Sequence, residues 1–381
     1  MARHCAQALE ALHRSGSLSR TDISARLGVT RSTAGTISQE LVSLGYVQEV
    51  PGLGGSVGRP SMVLQPRAES LVVMSVDVRV TEVKVIAFGL GGHVLAETTR
   101  TRNLQGISPQ ELALVVRDVI AETLRTLPKD AHWCATSVAV PGIVDQATGT
   151  VQFAPHLGWR DEAWGPLLTS ALFALNGEQQ VIEFGNDANL GALGEYIRGS
   201  GRGARSMLYV SGDVGIGGGY VEKERVRLGA RGFAGEIGHM PISPDGPQCR
   251  CGARGCWEAF IGSQRILAAA KWPDASIEEL ISAVRAGDAN AVRAVSDAGK
   301  FTGMGLRGLI AITDPERVVL GGHLGQLLAF MQDAIAEEIA SLPAQQSQNI
   351  TITAGALGDD AALVGGAEIL TGRMIHALLR D

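Results

Sequence analysis

Two stretches of this sequence repeat the same order of strands and helices, and that repeat constrains the fold more than any other feature. Six strand-like segments, separated by short turns, fall into two groups of three: Leu71–Val78, Val83–Leu90 and His93–Thr99, then Met207–Ser211, Gly217–Glu222 and Arg225–Leu228. Each group is followed by a longer region with helical patterning, such as Pro109–Thr126 and Ile277–Ala311. Two β-meanders, each followed by mixed helices and strands, predict an α/β body with two lobes and a cleft between them.

The composition is that of a folded protein with many tight turns. Apolar residues make up 45% of the 381 residues and charged residues 19%, which argues against disorder. Glycine, with 49 residues, is far more frequent than usual and points to close backbone approaches. No run of about 18 apolar residues is present, and the first residues lack the apolar core of a signal peptide. The sequence therefore predicts a cytoplasmic protein with no membrane partner.

The N-terminal segment shows the pattern of three helices in quick succession. Apolar periodicity and capping residues predict these helices over residues 2–14, from Ser19 to Leu27, and from Thr30 to about Leu44. The second and third helices are joined by a short turn that contains Gly28, which is typical of the helix-turn-helix motif. The sequence therefore predicts a DNA-binding unit at the N-terminus.

Two short strands are predicted after the third helix. Tyr46–Val50 and Ser61–Gln65 flank a glycine-rich stretch and indicate a hairpin, or wing, whose tip carries Arg59. Pro66 to Ser70 is the expected linker, so the winged helix-turn-helix domain is predicted to cover residues 1–66. Residues 1–67 carry a net charge of +3, whereas the remainder carries −9. A basic head on an acidic body suggests that only the head meets a polyanion such as double-stranded operator DNA.

The third helix has an apolar stripe and an opposite polar face. The stripe contains Ala34, Ile37, Leu41 and Leu44, and the residues expected to contact DNA are Arg31, Ser32, Thr36 and Gln39. Short or donor-rich side chains suit an approach to base edges, and a helix N-terminus favours phosphate. A merely solvated face would also be polar, but no acidic residue occurs from Val29 to Gln39. We therefore predict that this helix reads DNA, with Arg59 reaching the backbone or the minor groove.

Three of the five cysteines lie within eight residues, and they predict a metal site. Cys249 and Cys251 are separated by one residue, Cys256 follows five residues later, and glycines in the stretch permit a tight loop. In a cytosolic chain such a cluster more often binds metal than forms disulfides. Tetrahedral zinc (Zn2+) needs a fourth ligand, and His239 lies ten residues upstream of the first cysteine. The expected site is structural, because no coordination position is left for water.

Five segments of the body carry motifs that are specific in combination: Val140–Asp145 (VPGIVD), Asn186–Glu195 (NDANLGALGE), Gly235–His239 (GEIGH), Cys249–Glu258 (CRCGARGCWE) and Val318–Gly322 (VVLGG). Together they resemble the ROK family, named for its repressors, open reading frames and sugar kinases, within the actin-like ATPase superfamily. The resemblance covers roughly residues 70–381. It implies a two-lobed α/β domain over residues 67–381, with one lobe at about 70–185 plus the C-terminal helix and the other at 186–360. The added winged helix is similar to the family's transcriptional regulators rather than to its stand-alone kinases.

The resemblance also implies a sugar site formed by polar side chains in glycine-rich loops, namely Asn186, Asp187, Glu236, His239 and Glu258. Carboxylate and amide groups suit vicinal hydroxyls, because they accept from or donate to two hydroxyls at once. In the family's kinases Asp187 would be the general base that deprotonates the phosphate-accepting hydroxyl, and here it is expected to be vestigial. His239 would bind zinc through one ring nitrogen and sugar through the other, so that metal and ligand are coupled.

The predicted nucleotide site departs from the pattern of the family's kinases. Where those kinases carry an Asp-x-Gly-Gly-Thr turn, this chain has Asp77, Arg79 and Thr81 with valine between them, so both glycines are replaced. The second phosphate turn, usually Gly-Thr-Gly-x-Gly-Gly, loses its threonine and begins with a carboxylate that would repel phosphate. We predict a degenerate nucleotide site and no catalytic residue. Its six residues are Asp77, Arg79, Thr81, Asp213, Gly215 and Gly217.

Two functions from different classes follow from these observations. The favoured one is a sugar-responsive transcriptional regulator, a repressor of carbohydrate metabolism genes that binds operator DNA as a homodimer or a dimer of dimers. The alternative is an ATP-dependent, glucokinase-like sugar kinase that carries a DNA-binding domain. Release of ADP in the presence of ATP, magnesium and sugar distinguishes the two.

Overall fold

The computed structural model describes residues 1–52, 62–212, 215–230, 232–343 and 350–379. Its first three helices are α1 (Ala2–Ser15), α2 (Arg20–Leu27) and α3 (Arg31–Ser43). The last two begin at the predicted caps, since Ser19 forms a capping box with Asp22 and the side chain of Thr30 accepts a hydrogen bond from the N–H of Thr33. Gly28 ends α2 in the left-handed conformation, with φ 64°, as a helix-terminating glycine does.

Three short strands complete the winged helix. They are β1 (Leu18–Ser19), β2 (Val47–Pro51) and β3 (Met62–Pro66), and they form an antiparallel sheet in the order β1-β3-β2. Both wing strands lie one residue further along the chain than predicted. The predicted wing tip with Arg59 lies outside the described residues. The core of the winged helix is built from aliphatic side chains with almost no exposed surface: Leu9, Leu12, Ile23, Ile37, Leu41 and Leu64.

One member of the predicted α3 stripe is not in this core. Ala34, Ile37 and Leu41 are fully buried as predicted, whereas Leu44 is 49% exposed. The prediction for Leu44 is wrong because α3 ends at Ser43, so Leu44 no longer follows the helical period of the stripe.

The chain divides into two compact units, and each is described by itself. The first contains residues 1–186 and 366–381, and the second contains residues 187–365. The first unit has a five-stranded sheet in the order β11-β7-β4-β5-β6, with β4 (Val72–Val78), β5 (Glu82–Gly89), β6 (His93–Thr101), β7 (Trp133–Val140) and β11 (Val181–Asn186). Strands β4, β7 and β11 are parallel, and β4, β5 and β6 form the antiparallel meander predicted from the sequence.

Two helices and a small sheet accompany the main sheet of the first unit. The helices are α4 (Pro109–Thr126), with its predicted bounds, and α5 (Trp164–Asn176); the small sheet contains β8 (Ile143–Val144), β9 (Thr150–Ala154) and β10 (Trp159–Ala163). Every residue of β4 is buried, as expected for a strand in the middle of a sheet that is covered on both faces. The rings of Trp159, Trp164 and Phe184 pack edge to face beside it in the aliphatic core.

The second unit repeats the meander-plus-helix plan. Its sheet has the order β14-β13-β12-β15-β16, with β12 (Ser206–Gly212), β13 (Ile216–Glu222), β14 (Arg225–Val226), β15 (Arg317–Gly321) and β16 (Thr351–Ala354). Its helices are α6 (Asp187–Ile197), α7 (Glu258–Ile261), α8 (Ser263–Ala269), α9 (Ile277–Arg285), α10 (Ala289–Thr313) and α11 (Gly322–Ile339). The helical region predicted over 277–311 is thus two helices, because Asp288 accepts backbone hydrogen bonds and starts α10.

The last helix, α12 (Ala361–Leu378), begins in the second unit and ends in the first. Its first turns lie directly against α6: a Cβ atom on Gly365 would be 1.8 Å from the carbonyl oxygen of Leu190, and one on Gly194 would be 2.2 Å from that of Ala361. Only glycine permits this backbone approach. Among the described residues, neither α12 nor any other helix is long and apolar enough to span a membrane.

Candidate metal centre and effector site

The four predicted metal ligands come together in the second unit. One donor atom from each of His239, Cys249, Cys251 and Cys256 lies within 4.8 Å of all the others. The Cys249 sulfur is 3.8 Å from Nδ1 of His239, and the sulfurs of Cys251 and Cys256 are 3.7 Å apart. This cluster can hold one metal ion, and the spacing of the cysteines was the signal in the sequence that predicted it.

A tight loop brings the cysteines together. The N–H of Cys249 donates to the carbonyl of Ala253 at 2.8 Å. Gly252 and Gly255 have φ values of 95° and 70°, which glycine adopts without strain, so the predicted role of both glycines is confirmed. A Cβ atom on Gly255 would lie only 1.6 Å from the carbonyl oxygen of Ser243, so a larger residue would force the loop apart.

The three thiols differ in how readily they lose a proton. Burial raises the pKa of the Cys249 thiol to about 12, and burial also raises the pKa of Cys256. The pKa of Cys251 is lowered, chiefly by a hydrogen bond from the backbone N–H of Ala253. Because metals bind the thiolate form, a bound cation would offset the cost of charging the two buried sulfurs.

His239 directs its two ring nitrogens to different partners. Nδ1 faces the sulfur of Cys249, whereas Nε2 is 3.9 Å from a carboxylate oxygen of Glu236. The helical turn Ile237–His239 follows Glu236 directly and sets this arrangement. Burial raises the pKa of the Glu236 carboxyl group, although the nearby His239 lowers it in part. His239 can therefore contact a metal on one side and a hydroxyl-bearing ligand on the other.

Glu258, the first residue of α7, joins the metal cluster to the turn between β12 and β13. Its Oε1 is 3.6 Å from the sulfur of Cys249, and its Oε2 accepts a hydrogen bond from the N–H of Ile216 at 3.3 Å. A Cβ atom on Gly215 would lie 2.9 Å from the same Oε2. Gly215, predicted for the phosphate turn, thus packs against a predicted sugar ligand.

Asn186 and Asp187 lie where the chain passes from one unit to the other. Asn186 is the last residue of β11, and its side-chain amide donates to the carbonyl of Gly142 at 3.0 Å. Asp187 is the first residue of α6, and its Oδ1 accepts from the N–H of Ala188 at 2.8 Å. Four of the five predicted sugar residues therefore belong to the second unit, and Asn186 belongs to the first.

Asn189 is a buried polar residue beside the predicted sugar residues that the sequence did not single out. It is 7% exposed, and its Oδ1 would be 3.3 Å from a Cβ atom on Gly235, whose φ is 111°. This contact places the first turn of α6, which starts at Asp187, beside the loop that carries Glu236. The available signal was its place within the same motif as Asp187, two residues further along.

The glycines of β13 allow α6 to approach the sheet closely. A Cβ atom on Gly217 would lie 2.7 Å from the Cβ of Ala188, and one on Gly219 would lie 2.7 Å from that of Ala192. These glycines, of which Gly217 was assigned to the phosphate turn, therefore have a packing reason that involves no nucleotide.

Ion pairs close the first of the two predicted phosphate turns. Asp77 is buried in β4, and the Nε of Arg79 donates to its carboxylate at 2.7 Å, while the Nη1 donates to Glu82 at 2.9 Å. Thr81 lies in the same turn between β4 and β5, and Asp213 of the second turn lies outside the described residues. The guanidinium of Arg79 is thus engaged by carboxylates of its own chain.

The four residues predicted to contact DNA all lie on the exposed side of α3. They are Arg31, Ser32, Thr36 and Gln39. The hydroxyl of Thr36 donates to the carbonyl of Ser32 at 3.3 Å, within the helix. The face is therefore accessible in the chain as folded.

These features define a class of protein: a winged helix of the DNA-binding type followed by a domain of the sugar-kinase-like, actin-like ATPase type. Residues 73–373 match the model of the ROK family, and residues 1–52 match the model of the MarR family. The chain belongs to the ROK family, and the fold class predicted from the sequence is confirmed.

Three proteins illustrate what the chain is similar to. The xylose repressor of Bacillus subtilis is 26% identical over 366 residues, which cover 95% of this chain and 93% of the repressor. The glucokinase of Streptomyces coelicolor is 30% identical over 274 residues, covering 66% of this chain and 84% of the kinase. A crystal structure of a ROK family transcriptional regulator, a homologue of the Escherichia coli MLC protein, matches in fold with a TM-score of 0.79. That match has 23% identity and covers 100% of this chain and 98% of the regulator.

Proposed function

We propose that the protein is a sugar-responsive DNA-binding transcriptional regulator that represses genes of carbohydrate metabolism. The observation that carries the proposal is the winged helix at the start of a ROK-family chain, whose α3 exposes a polar face with no acidic residue from Arg31 to Gln39. A regulator needs such a face to approach DNA phosphates and base edges, whereas a sugar kinase does not. The similarity of 95% of the chain to a protein named xylose repressor supports the same function. The regulator acts in the cytoplasm, where its DNA lies.

The proposed DNA-binding residues are Arg31, Ser32, Thr36 and Gln39 on α3, with Arg59 on the wing. The partner is double-stranded operator DNA, and the protein binds it as a homodimer or a dimer of dimers. Two recognition helices about 34 Å apart, one turn of the double helix, read the two halves of a palindrome.

The proposed effector is a sugar or sugar derivative, held by Asn186, Asp187, Glu236, His239 and Glu258. The hydrogen bonds of Glu258 and the carboxylate of Glu236 beside Nε2 of His239 support this assignment, because they present acceptors next to a donor. Asp187 binds a hydroxyl here rather than acting as a base. A sugar changes DNA binding only if it binds one of two states more tightly than the other.

The proposed cofactor is one structural zinc ion, held by His239, Cys249, Cys251 and Cys256. Zinc–sulfur bonds of about 2.3 Å in a tetrahedron separate two sulfurs by about 3.8 Å. The 3.7 Å between Cys251 and Cys256 fits that value. The zinc orients the ring of His239, so that loss of metal also disturbs the sugar site.

A degenerate nucleotide site distinguishes the proposed regulator from a kinase. Arg79 occupies the first phosphate turn and pairs with Asp77 and Glu82, so an incoming phosphate would have to displace two carboxylates from this guanidinium. We propose that Asp77, Arg79, Thr81, Asp213, Gly215 and Gly217 form this vestigial site and that the chain phosphorylates no sugar.

The function is tested with DNA that the full-length protein selects from a random-sequence library. Fluorescence anisotropy then measures the affinity for that duplex with and without each member of a sugar panel that includes D-xylose and D-glucose. We expect one sugar to lower the affinity by about 5- to 150-fold, the usual range for coupling between two sites. Glu236→Gln abolishes this response and keeps the affinity without sugar, whereas Glu178→Gln, on an exposed loop, changes neither. Failure to select any DNA sequence contradicts the proposal.

A second function, a sugar kinase with a DNA-binding domain, is favoured by one observation. Asp187 is retained at the start of α6, where the resemblance puts the general base, and the chain is 30% identical to a glucokinase over 274 residues. The assay is release of ADP with ATP, magnesium and the same sugars. Turnover that Asp187→Asn removes would establish the kinase; release at the level of the protein-free control supports the regulator.

A further inference from the structure

A buried hydrogen bond joins the winged helix to the C-terminal helix. His13, near the end of α1, is 3% exposed, and Glu368, in α12, is 9% exposed. The Nε2 of His13 is 3.1 Å from both carboxylate oxygens of Glu368. Burial of such polar groups is costly unless they are hydrogen-bonded, so the hydrogen bond between the two side chains offsets part of that cost.

The other ring nitrogen of His13 has a different partner. The N–H of Gly91, in the turn between β5 and β6, donates to Nδ1 at 2.9 Å. Because a backbone N–H only donates, Nδ1 carries no proton, and Nε2 donates its proton to Glu368. A single imidazole therefore attaches α1 both to α12 and to the main sheet of the first unit.

Helix α12 connects this bond to the helix that starts at Asp187. Its first turns touch the backbone of α6 at Gly365 and Gly194, where neither glycine has a side chain to separate the two helices. Glu368 follows on the same continuous helix, seven residues after its start. The continuous helix α12 therefore provides a covalent path from its contact with α6 to Glu368.

We propose that His13 and Glu368 are positioning residues, which fix the DNA-binding domain to α12 and so transmit the state of the sugar site to the DNA-reading helix. The inference rests on the proposed function, because it assumes that sugar and DNA bind the same chain. The path runs from Asp187 along α6, across to α12, and through Glu368 to His13. Helix α1 packs against α3, so the place of His13 sets the place of the reading face.

A second contact between α1 and α12 provides a matched control. Nε2 of His376 is 3.3 Å from a carboxylate oxygen of Glu10, with side chains 46% and 30% exposed. Solvent-exposed pairs of this kind contribute little, because water screens them and both side chains lose freedom. The two pairs join the same helices and differ in burial.

The test compares two double variants of the full-length protein. His13→Leu with Glu368→Leu removes both members of the buried pair at once and fills their place with apolar side chains. Glu10→Leu with His376→Leu removes the exposed pair. Trypsin cleavage after Arg67, in the linker, is followed by mass spectrometry, because cleavage there requires the domain to detach. We expect cleavage to accelerate about tenfold in the first variant and to stay within about twofold of wild type in the second.

Transmission is tested with the selected duplex and D-xylose or D-glucose, whichever weakens binding in wild type. In the His13/Glu368 variant we expect sugar affinity, measured by calorimetry, to stay within about twofold, while the effect of sugar on DNA affinity disappears. Unchanged cleavage after Arg67, or a full sugar response despite faster cleavage, overturns the proposal. Absence of DNA binding in wild type refutes the proposed function instead. If circular dichroism shows that the double variant does not fold, Glu368→Leu alone removes the acceptor of the His13 hydrogen bond, and a cleavage rate equal to wild type in that variant also overturns the proposal.

Discussion

Substitution of Gly217 by alanine tests whether α6 positions the sugar site. The new methyl group would stand 2.7 Å from the Cβ of Ala188, the neighbour of Asp187. Carbon atoms in contact prefer a separation of about 3.5–4.0 Å, so the first turn of α6 must withdraw by about 1 Å. The perturbation is small, and it acts next to a proposed ligand without removing any polar group.

The magnitude follows from this overlap. Insertion of one methyl group into a packed contact costs about 1–3 kcal/mol of unfolding free energy. Binding groups must be held within about 0.5 Å of their productive positions, so a 1 Å displacement near Asp187 lowers sugar affinity by about tenfold or more.

Urea unfolding measures the stability, and isothermal titration calorimetry with D-xylose and D-glucose measures the affinity. The matched control is Gly308→Ala in α10, where the added Cβ meets no atom within 4 Å. That control raises the unfolding free energy by about 0.5–1 kcal/mol, because alanine has less backbone entropy to lose in a helix than glycine. It leaves sugar affinity unchanged.

A swap of the two residues provides the decisive comparison. Ala188→Gly combined with Gly217→Ala moves the methyl group from one side of the contact to the other and relieves the overlap. We expect the double variant to recover most of the sugar affinity that Gly217→Ala loses. If the double variant binds sugar as weakly as the single one, the packing argument is refuted.

Three further predictions concern the metal, the DNA-reading face and the phosphate turn. We expect the purified protein to contain about one zinc per chain by mass spectrometry, and Cys251→Ser to lower both the metal content and the sugar response. The control Cys134→Ser, in β7, changes neither quantity. Normal sugar affinity in a variant without metal would show that His239 does not bind both the metal and the sugar. Substitution of Gln39 or Ser32 by alanine keeps the thermal stability and lowers the binding free energy on selected DNA by about 1–3 kcal/mol. Alanine at a phosphate-contacting residue instead lowers the slope of log affinity against log salt concentration by about one. If the alanine variants at Arg31, Ser32, Thr36 and Gln39 bind selected and random DNA with unchanged affinity, the face is only solvated. Arg79→Ala leaves the carboxylate of Asp77 buried beside Glu82 without the guanidinium that pairs with it. We therefore expect the unfolding free energy, measured by urea titration, to fall by about 3 kcal/mol. A loss below about 1 kcal/mol would contradict the importance of the ion pair between Arg79 and Asp77.

Short-range patterns in the sequence predicted much of the local structure. The caps at Ser19 and Thr30 placed two helix starts correctly, because a cap acts within three residues of itself. The six strands of the two meanders are confirmed within two residues at each end, since short strand-like segments bounded by turn residues are recognised from neighbours in the chain. Leu44 was assigned wrongly to the α3 stripe, because the periodicity gives no sharp sign of where a helix ends.

The sequence by itself determined which residues could form the metal cluster, since His239 and the three cysteines lie within 18 residues and one tight loop can gather them. Only the tertiary structure decided which distant residues meet. His13 and Glu368 are 355 residues apart, and neither carries a local pattern that names its partner. The same is true of the close contact between Gly217 and Ala188. The physical reason is that caps, loops and periodicity depend on neighbours in the chain, whereas buried pairs and glycine contacts depend on how whole helices and sheets pack.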